Sequence, residues 1–304
     1  MFQINHIKNQ KTNSNVLEIS NAKNNSFAKI SLNKGASIQE LTIGNHSIIK
    51  EMKSIPYSKT YASSLLFPFA NRIKNGTYNY KAEKFQLDIN EIELHNAMHG
   101  LVYNKTFEVI NENCDRNSAS IKLVYKEKNL NKGFPYTYSF YVEYILTNTA
   151  LTINVEVENT SSKSFPFTIG WHPYFFSSNL ENSKIVFDAK KKLKLDEKCI
   201  TEKVINNIHS KGFTIKNIFL DDCYVLDDNK EVVFKTPYYK LTLNSSETDS
   251  YVQLYTPPYK NAIAIEPTTG VSDSFNNGIG LKELLPQSKY IINWNLKVES
   301  NSKK

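Results

Sequence analysis

Arginine is nearly absent from this chain, since only Arg72 and Arg116 among its 37 cationic side chains are arginines. The others are lysines spread along the sequence, and the formal net charge is +7. Proteins that bind nucleic acid usually carry a clustered basic face or a recognisable motif, and this chain has neither. The dispersed lysines therefore indicate solubility, with mild attraction for anionic molecules, and no nucleic-acid partner is expected.

Cysteine and long apolar runs are also scarce. Cys114, Cys199 and Cys223 are far apart and odd in number, which argues against a disulfide framework or a paired metal-ligand spacing. No stretch approaches the roughly 18 apolar residues of a membrane span, and residues 1–8 lack the apolar core of a signal peptide. We therefore expect a soluble, cytoplasmic protein with no membrane partner.

Helical periodicity is missing beyond single turns such as 281–285. Apolar and polar side chains instead alternate with a period of two in segments 138–147, 151–158 and 290–298. Shorter candidate strands are 17–19, 28–32, 121–125, 184–187, 232–234, 241–243 and 251–255. Polar turns separate them without a βαβ rhythm, a linker or a repeat. The pattern predicts an all-β fold, an antiparallel β-sandwich, as a single domain over residues 1–304.

Arg72 stands in apolar surroundings, directly after Phe67-Pro68-Phe69-Ala70-Asn71. A guanidinium offers five fixed donors to hydroxyls or carboxylates, and Asn71 could add an amide contact. The alternative is a surface arginine that closes a hairpin, because Asn75-Gly76 follows.

His172 and Glu266 are also set in apolar sequence. His172 lies in Gly170-Trp171-His172-Pro173-Tyr174-Phe175, and Glu266 follows Ala262-Ile263-Ala264-Ile265. Aromatic side chains beside an imidazole suit the apolar face of a sugar, and this imidazole is expected to titrate near neutrality. Burial would raise the pKa of the carboxyl group toward that of a general base. The alternatives are a core histidine bonded to a backbone carbonyl and an ion-paired glutamate at a strand end.

Two histidines, His95 and His99, have the i,i+4 spacing of some metal sites. Gly100 ends any helix there, and no third ligand completes a set. We therefore expect no metal, an exposed His95, and a loop His99 that contacts ligand. Asp221 and Asp222, before a candidate strand, are typical of a solvated turn, and Gln253 projects from segment 251–255.

Taken together, these segments resemble the aldose 1-epimerase (galactose mutarotase) family, in its broader epimerase-like branch. The resemblance runs from about residue 35 to residue 286 and depends on seven motifs in the family's order. They are Phe69-Ala70-Asn71-Arg72-Ile73, Met98-His99-Gly100-Leu101, Gly133-Phe134-Pro135, Gly170-Trp171-His172-Pro173-Tyr174-Phe175, Asp221-Asp222-Cys223-Tyr224, Val252-Gln253-Leu254-Tyr255-Thr256 and Ile265-Glu266-Pro267. Segments 66–70 and 268–278 indicate the branch and leave the preferred sugar open.

The resemblance implies a large antiparallel β-sandwich of the galactose mutarotase-like (supersandwich) type with an open sugar cleft. It also implies a cofactor-independent isomerase that interconverts the α and β anomers of a free hexose such as galactose. We expect a monomer or a homodimer. Glu266 is implied as the base at the anomeric hydroxyl and His172 as the acid at the ring oxygen. The implied sugar-binding groups are Asn71, Arg72, His99, Asp221 and Gln253. Of the two adjacent acids, Asp221 aligns with the family motif better than Asp222.

The chemistry accounts for these residue types by itself. Opening a pyranose removes a proton from O1 and delivers one to O5; rotation about C1–C2 and the reverse transfers close the other anomer. We expect the carboxylate and the imidazole to face each other across the ring. Three alternatives remain. The first is a hexose-6-phosphate 1-epimerase, which needs a cationic phosphate pocket, and the second is a non-catalytic carbohydrate-binding protein. The third is a glycosidase that uses Asp221 and Glu266, which leaves His172 without a role.

Overall fold

The computed structural model describes residues 1–9, 14–216, 218–259 and 261–301, and almost all of its regular structure is β-strand. The short helical segments are α1 (Tyr57–Thr60), α2 (Ser274–Asn277) and a 3₁₀ turn (Ala22–Asn24). The strands, in chain order, are β1 (Gln3–Asn9), β2 (Ser14–Asn21), β3 (Ser26–Ser31), β4 (Ser37–Ile43), β5 (His46–Ile49), β6 (Leu65–Leu66), β7 (Arg72–Lys74), β8 (Thr77–Tyr80), β9 (Glu83–Gln86), β10 (Asn96–Met98), β11 (Glu108–Cys114), β12 (Ser118–Glu127), β13 (Tyr138–Thr147), β14 (Ala150–Asn159), β15 (Phe165–Phe167), β16 (Gly170–Trp171), β17 (Tyr174–Phe176), β18 (Lys184–Val186), β19 (Lys191–Leu195), β20 (Thr201–Asn206), β21 (Phe213–Thr214), β22 (Asp221–Val225), β23 (Val232–Lys235), β24 (Tyr239–Ser245), β25 (Tyr251–Tyr255), β26 (Ala262–Thr268), β27 (Lys282–Leu284) and β28 (Lys289–Ser300).

Three antiparallel sheets contain most of these strands. The first has five strands in the order β1-β2-β3-β4-β5, and the second has nine in the order β11-β12-β13-β14-β28-β24-β23-β18-β21. The third has eight, along the path β20-β19-β22-β25-β26-β16-β6 with β17 also paired to β26. Two-stranded pairs β7-β10, β8-β9 and β15-β27 accompany them. The predicted all-β antiparallel sandwich is confirmed.

The main hydrophobic core contains buried side chains from all three sheets. Along β13 every second residue from Tyr138 to Leu146 is buried, and β14 follows the same rhythm. Register aligns Val142 with Val155 across this pair. Because successive side chains of a strand point to opposite faces, the period-two segments were read correctly as half-buried strands.

The predicted helical turn at 281–285 is wrong. Lys282–Leu284 form strand β27, which pairs with β15 and buries only Leu284. The two α-helices are single turns elsewhere, too short to leave a periodic pattern. The described residues include no helix with the length and hydrophobicity needed to cross a bilayer.

Candidate active site

Neighbouring strands of the eight-stranded sheet place functional side chains on one face. Register aligns Cys223 of β22 with Gln253 of β25, and Gln253 with Glu266 of β26. The next row, two residues along each strand, consists of Asp221, Tyr255, Ala264 and Tyr174. Residues two apart in a strand point the same way, so these two rows form one continuous surface.

Glu266 and His172 lie side by side in the buried part of this surface. Oε1 of Glu266 is 3.4 Å from Nε2 of His172, and the two residues are 3% and 5% exposed. The His172 backbone donates to the Ser64 carbonyl at 3.0 Å and accepts from the Ser63 N–H at 2.7 Å. Its ring stacks on Tyr174, with 5.0 Å between centroids. No sugar ring fits into a 3.4 Å gap, so the expectation that the two groups face each other across the ring is wrong.

Burial controls the protonation of this pair. It raises the pKa of Glu266 well above the usual 4.5, an effect that Asp221 strengthens and Arg72 opposes. Burial also lowers the pKa of His172 to about 4, and Arg72 adds to the decrease. The prediction that His172 titrates near neutrality is therefore wrong, because the buried imidazole loses the hydration that stabilises its charge. Burial therefore favours the uncharged form of both groups, the carboxylic acid of Glu266 and the neutral imidazole of His172.

His99 reaches the cleft from the loop after β10. Its N–H donates to the Asn71 carbonyl at 2.8 Å, and its ring lies edge-on to His172 with 5.0 Å between centroids. At the next position, Gly100, an added Cβ would lie 2.3 Å from the Phe67 carbonyl oxygen, and φ is +75°. Only glycine fits both the space and the backbone conformation. The close approach that it permits places His99 beside Asn71.

Arg72 begins strand β7 and forms a largely buried ion pair with Glu91. Its Nε lies 3.1 and 2.9 Å from Oε1 and Oε2 of Glu91, and its Nη2 lies 2.9 Å from Oε1. Both side chains are 14% exposed. Nη1 donates to Oδ1 of Asn71 at 3.3 Å, and Asn96 donates to Oε2 of Glu91 at 2.9 Å. The surface-hairpin alternative is therefore excluded: this guanidinium is a fixed donor oriented by Glu91.

Of the two adjacent acids, Asp221 belongs to the cleft and Asp222 does not. Nε2 of Gln253 donates to Oδ1 of Asp221 at 2.7 Å, and Nδ2 of Asn71 donates to Oε1 of Gln253 at 3.5 Å. Asp222 points away, on the alternate face of β22, and pairs with Lys192 at 2.8 Å. Burial raises the pKa of Asp221 above its usual value.

All seven site residues predicted from the sequence line one cavity of about 500 Å³. They are Asn71, Arg72, His99, His172, Asp221, Gln253 and Glu266. Further lining residues that the sequence analysis did not propose for the site are Tyr61, Glu91, Tyr174, Cys199, Phe219 and Tyr255. Tyr174 and Tyr255 lie inside two of the motifs, whereas the others had no sequence signal. His95 is exposed, as expected, and does not line the cavity.

Comparison with known proteins identifies the family of this chain. The family model described as aldose 1-epimerase matches residues 15–297. The chain belongs to the aldose 1-epimerase family. The uncharacterized protein YihR of Escherichia coli K12 is 24% identical over 260 residues, which cover 81% of this chain and 82% of that protein. YphB of the same organism is 31% identical over 111 residues, 36% of this chain and 35% of that protein.

Solved structures agree with this membership at the level of the fold. A galactose mutarotase-like protein from Clostridium acetobutylicum superimposes with a TM-score of 0.87 at 20% identity, covering 99% of both chains. Galactose 1-epimerase from Lactobacillus acidophilus superimposes with a TM-score of 0.82 at 19% identity, covering 99% of this chain and 100% of that chain. The galactose mutarotase-like sandwich predicted from the sequence is therefore the fold of this family member.

Proposed function

We propose that this protein interconverts the α and β anomers of a free hexose, as a cofactor-independent aldose 1-epimerase. The contact of 3.4 Å between Glu266 Oε1 and His172 Nε2 is the observation that carries the proposal. O1 and O5 of a pyranose are bonded to the same carbon, so the base and the acid that act on them have to be neighbours. Side-by-side placement of the two groups satisfies this requirement directly.

One proton shared by the pair is sufficient for the reaction. Glu266, as the carboxylate, takes the proton of O1 while protonated His172 gives its proton to O5, and the C1–O5 bond breaks as the aldehyde forms. The pair is then a neutral carboxylic acid and a neutral imidazole, the forms that burial favours. Rotation about C1–C2 and the reverse transfers produce the other anomer. Before each opening the proton moves from Glu266 to His172 across their contact.

The remaining groups of the cleft bind and orient the sugar. Asp221 accepts hydrogen bonds, Arg72 donates them, and the Asn71 and Gln253 amides do both. A chain of hydrogen bonds links Asn71, Gln253 and Asp221. It fixes the directions in which their remaining donors and acceptors point. His99 completes the set beside His172.

Glu91→Gln is expected to raise KM for the sugar about 10-fold while kcat changes little. Loss of one charged acceptor weakens a charge-assisted interaction and lets Arg72 leave its bound orientation. Glu91 positions Arg72 without touching the reacting atoms, so the substitution is expected to weaken sugar binding and to leave the chemical step unchanged. Initial-rate kinetics measure KM and kcat separately. Glu93→Gln is the matched control, because Glu93 is an exposed residue that lines the same cavity. An unchanged KM, or a fall in kcat alone, would contradict this role.

The charge around the cleft favours a neutral sugar over a hexose 6-phosphate. Acidic side chains outnumber cationic ones among the described lining residues even when the buried Glu266 carboxyl group is counted as neutral: Glu91, Glu93 and Asp221 against Lys59 and Arg72. Arg72 is already paired with Glu91, and Lys59 is exposed. Phosphate sites use clustered arginines or helix N-termini. A non-catalytic sugar-binding protein, in turn, has no need of a buried contact between Glu266 and His172.

The proposal is tested by NMR exchange or polarimetry with α-D-glucose and α-D-galactose at neutral pH. The protein is expected to accelerate anomeric exchange of at least one of them far above buffer, and glucose 6-phosphate to a smaller extent. Rates equal to buffer with sugar still bound would replace this proposal with the binding-protein alternative. Faster turnover of the phosphorylated sugar would replace it with the phosphate-specific enzyme. Cytoplasmic location and a monomeric or homodimeric state stay predictions.

The pH profile of kcat/KM is expected to be flat between the lowered pKa of His172, about 4, and the raised pKa of Glu266, because the pair keeps one proton throughout that range. Below this range a second proton enters at His172, whose pKa is lowered to about 4, and Glu266 can no longer act as a base. As pH rises through the raised pKa of Glu266, the single proton leaves the pair and no acid remains. An acid limb with its midpoint near 6.5, the ordinary imidazole value, would contradict this assignment.

A further inference from the structure

A second cavity, of about 880 Å³, lies outside the candidate active site. Its walls come from the start of β5, the end of β17, the turn before β24 and the end of β28. The two cavities have no lining residue in common. They are neighbours, because Tyr174 of β17 lines the first, and Phe176, two residues further on the same strand face, lines the second.

Aromatic side chains line this second cavity together with serines and asparagines. Tyr238 is 64% exposed, and within the described part of the chain its ring contacts no other ring and its hydroxyl makes no hydrogen bond. Phe176 and Tyr259 meet edge to face, with centroids 5.5 Å apart, and His46 packs against Tyr239 at 5.4 Å. The cavity therefore has a packed aromatic base and one free aromatic face, that of Tyr238.

Some of the polar side chains around these rings are uncommitted within the described part of the chain, whereas others, such as His46, are hydrogen-bonded. Nζ of Lys50 lies 5.0 Å from the centroid of the Phe176 ring and pairs with no carboxylate among the residues that the structure describes. The side chains of Ser178 and Asn261 likewise make no hydrogen bond to the described residues. None of the lining side chains that the structure describes is acidic. Among the described residues, the cavity thus offers neutral donors and acceptors together with the Lys50 cation.

We propose that this cavity is a second saccharide-binding site, which holds a neutral glycosyl unit against the face of Tyr238. The face of an aromatic ring is electron-rich, and it attracts the polarised C–H bonds on the apolar side of a pyranose. Lys50, Ser178 and Asn261 then supply partners for the ring hydroxyls. An aliphatic ligand would leave these polar groups desolvated without hydrogen bonds. The inference stands independently of the catalytic proposal, because it uses none of the same residues.

The site is tested by titrating the ¹⁵N-labelled full chain with methyl α-maltoside, which has no free anomeric hydroxyl and is therefore no substrate. Saturable amide shifts are expected at residues 45–47, 177–178 and 238–239, with a Kd distinct from that of any shifts at His99 and Gln253. Tyr238→Ala is expected to weaken the first set about 3- to 10-fold, and Tyr238→Phe to preserve it, because the phenyl face is retained. Anomeric exchange of glucose should be equal in all three proteins.

Shifts confined to the active site, or equal Kd values in Tyr238→Ala and wild type, would overturn the second site. Concentration-dependent dimerisation in sedimentation velocity that Tyr238→Ala abolishes, without any sugar-induced shift at residues 238–239, would assign the cavity to self-association and overturn it equally. A wild-type protein without epimerase activity that still shows these shifts would refute the catalytic proposal and support the second site.

Discussion

Glu266→Gln is expected to lower kcat for anomeric exchange by about 10²- to 10⁴-fold, the usual contribution of a general base. Glutamine keeps the shape of the side chain and its hydrogen bonding capacity but cannot accept the O1 proton. KM should change little, since the hydroxyl-binding groups stay in place. NMR exchange at saturating sugar measures the effect directly.

The fold of this variant is expected to be intact. Because the folded-state pKa of Glu266 is raised, its contribution to stability is fully present below the unfolded pKa of about 4.5 and is lost as pH rises. Glutamine is neutral at every pH, so Glu266→Gln should unfold at or above the wild-type temperature at pH 7. Glu299→Gln, which alters an exposed ion pair with Lys240, is the matched control. A Glu266→Gln variant with more than a third of wild-type kcat would remove Glu266 from the mechanism.

His172→Asn is expected to produce a loss of similar size, about 10²- to 10⁴-fold in kcat, because no group then protonates O5. The effect should be far from additive with Glu266→Gln, since each substitution alone disables the same proton exchange. The double variant is therefore expected to be only slightly slower than either single one. His209→Asn, at an exposed position, is the control.

Additive losses in the double variant would mean that the two groups act separately, and the shared-proton mechanism would fail. A His172→Asn variant with near-normal kcat would assign the acid to another group of the cleft. His99 is the nearest candidate, because its ring contacts that of His172.

Much of the fold could be read from the sequence because half-buried strands have a strong period-two pattern. β13, β14 and β28 each combine long alternation with register against a neighbour. Three-residue elements such as β27 have no such pattern, and their pairing depends on distant partners. The sequence of segment 281–285 therefore predicts a helical turn where the structure has a strand.

The residues that line the cleft could be predicted, but their arrangement could not. Polar groups in apolar sequence identified Arg72, His172 and Glu266, and the motif order added the rest. Glu91 was missed because it lies in a polar stretch where nothing distinguishes it from solvated acids. The choice between Asp221 and Asp222 needed the register of β22 against β25. The contact between Glu266 and His172, and the burial that shifts both pKa values, are properties of the assembled sheets.

The pairing of Arg72 with Glu91 has a consequence for affinity in salt solutions. Glu91 compensates the positive charge of Arg72 inside the protein. The guanidinium therefore donates hydrogen bonds to a hydroxyl at short range but exerts little long-range electrostatic attraction. Dissolved ions screen exposed charges and hardly affect contacts of this kind. Uncharged hexoses should accordingly bind almost equally well in dilute buffer and in concentrated sodium chloride.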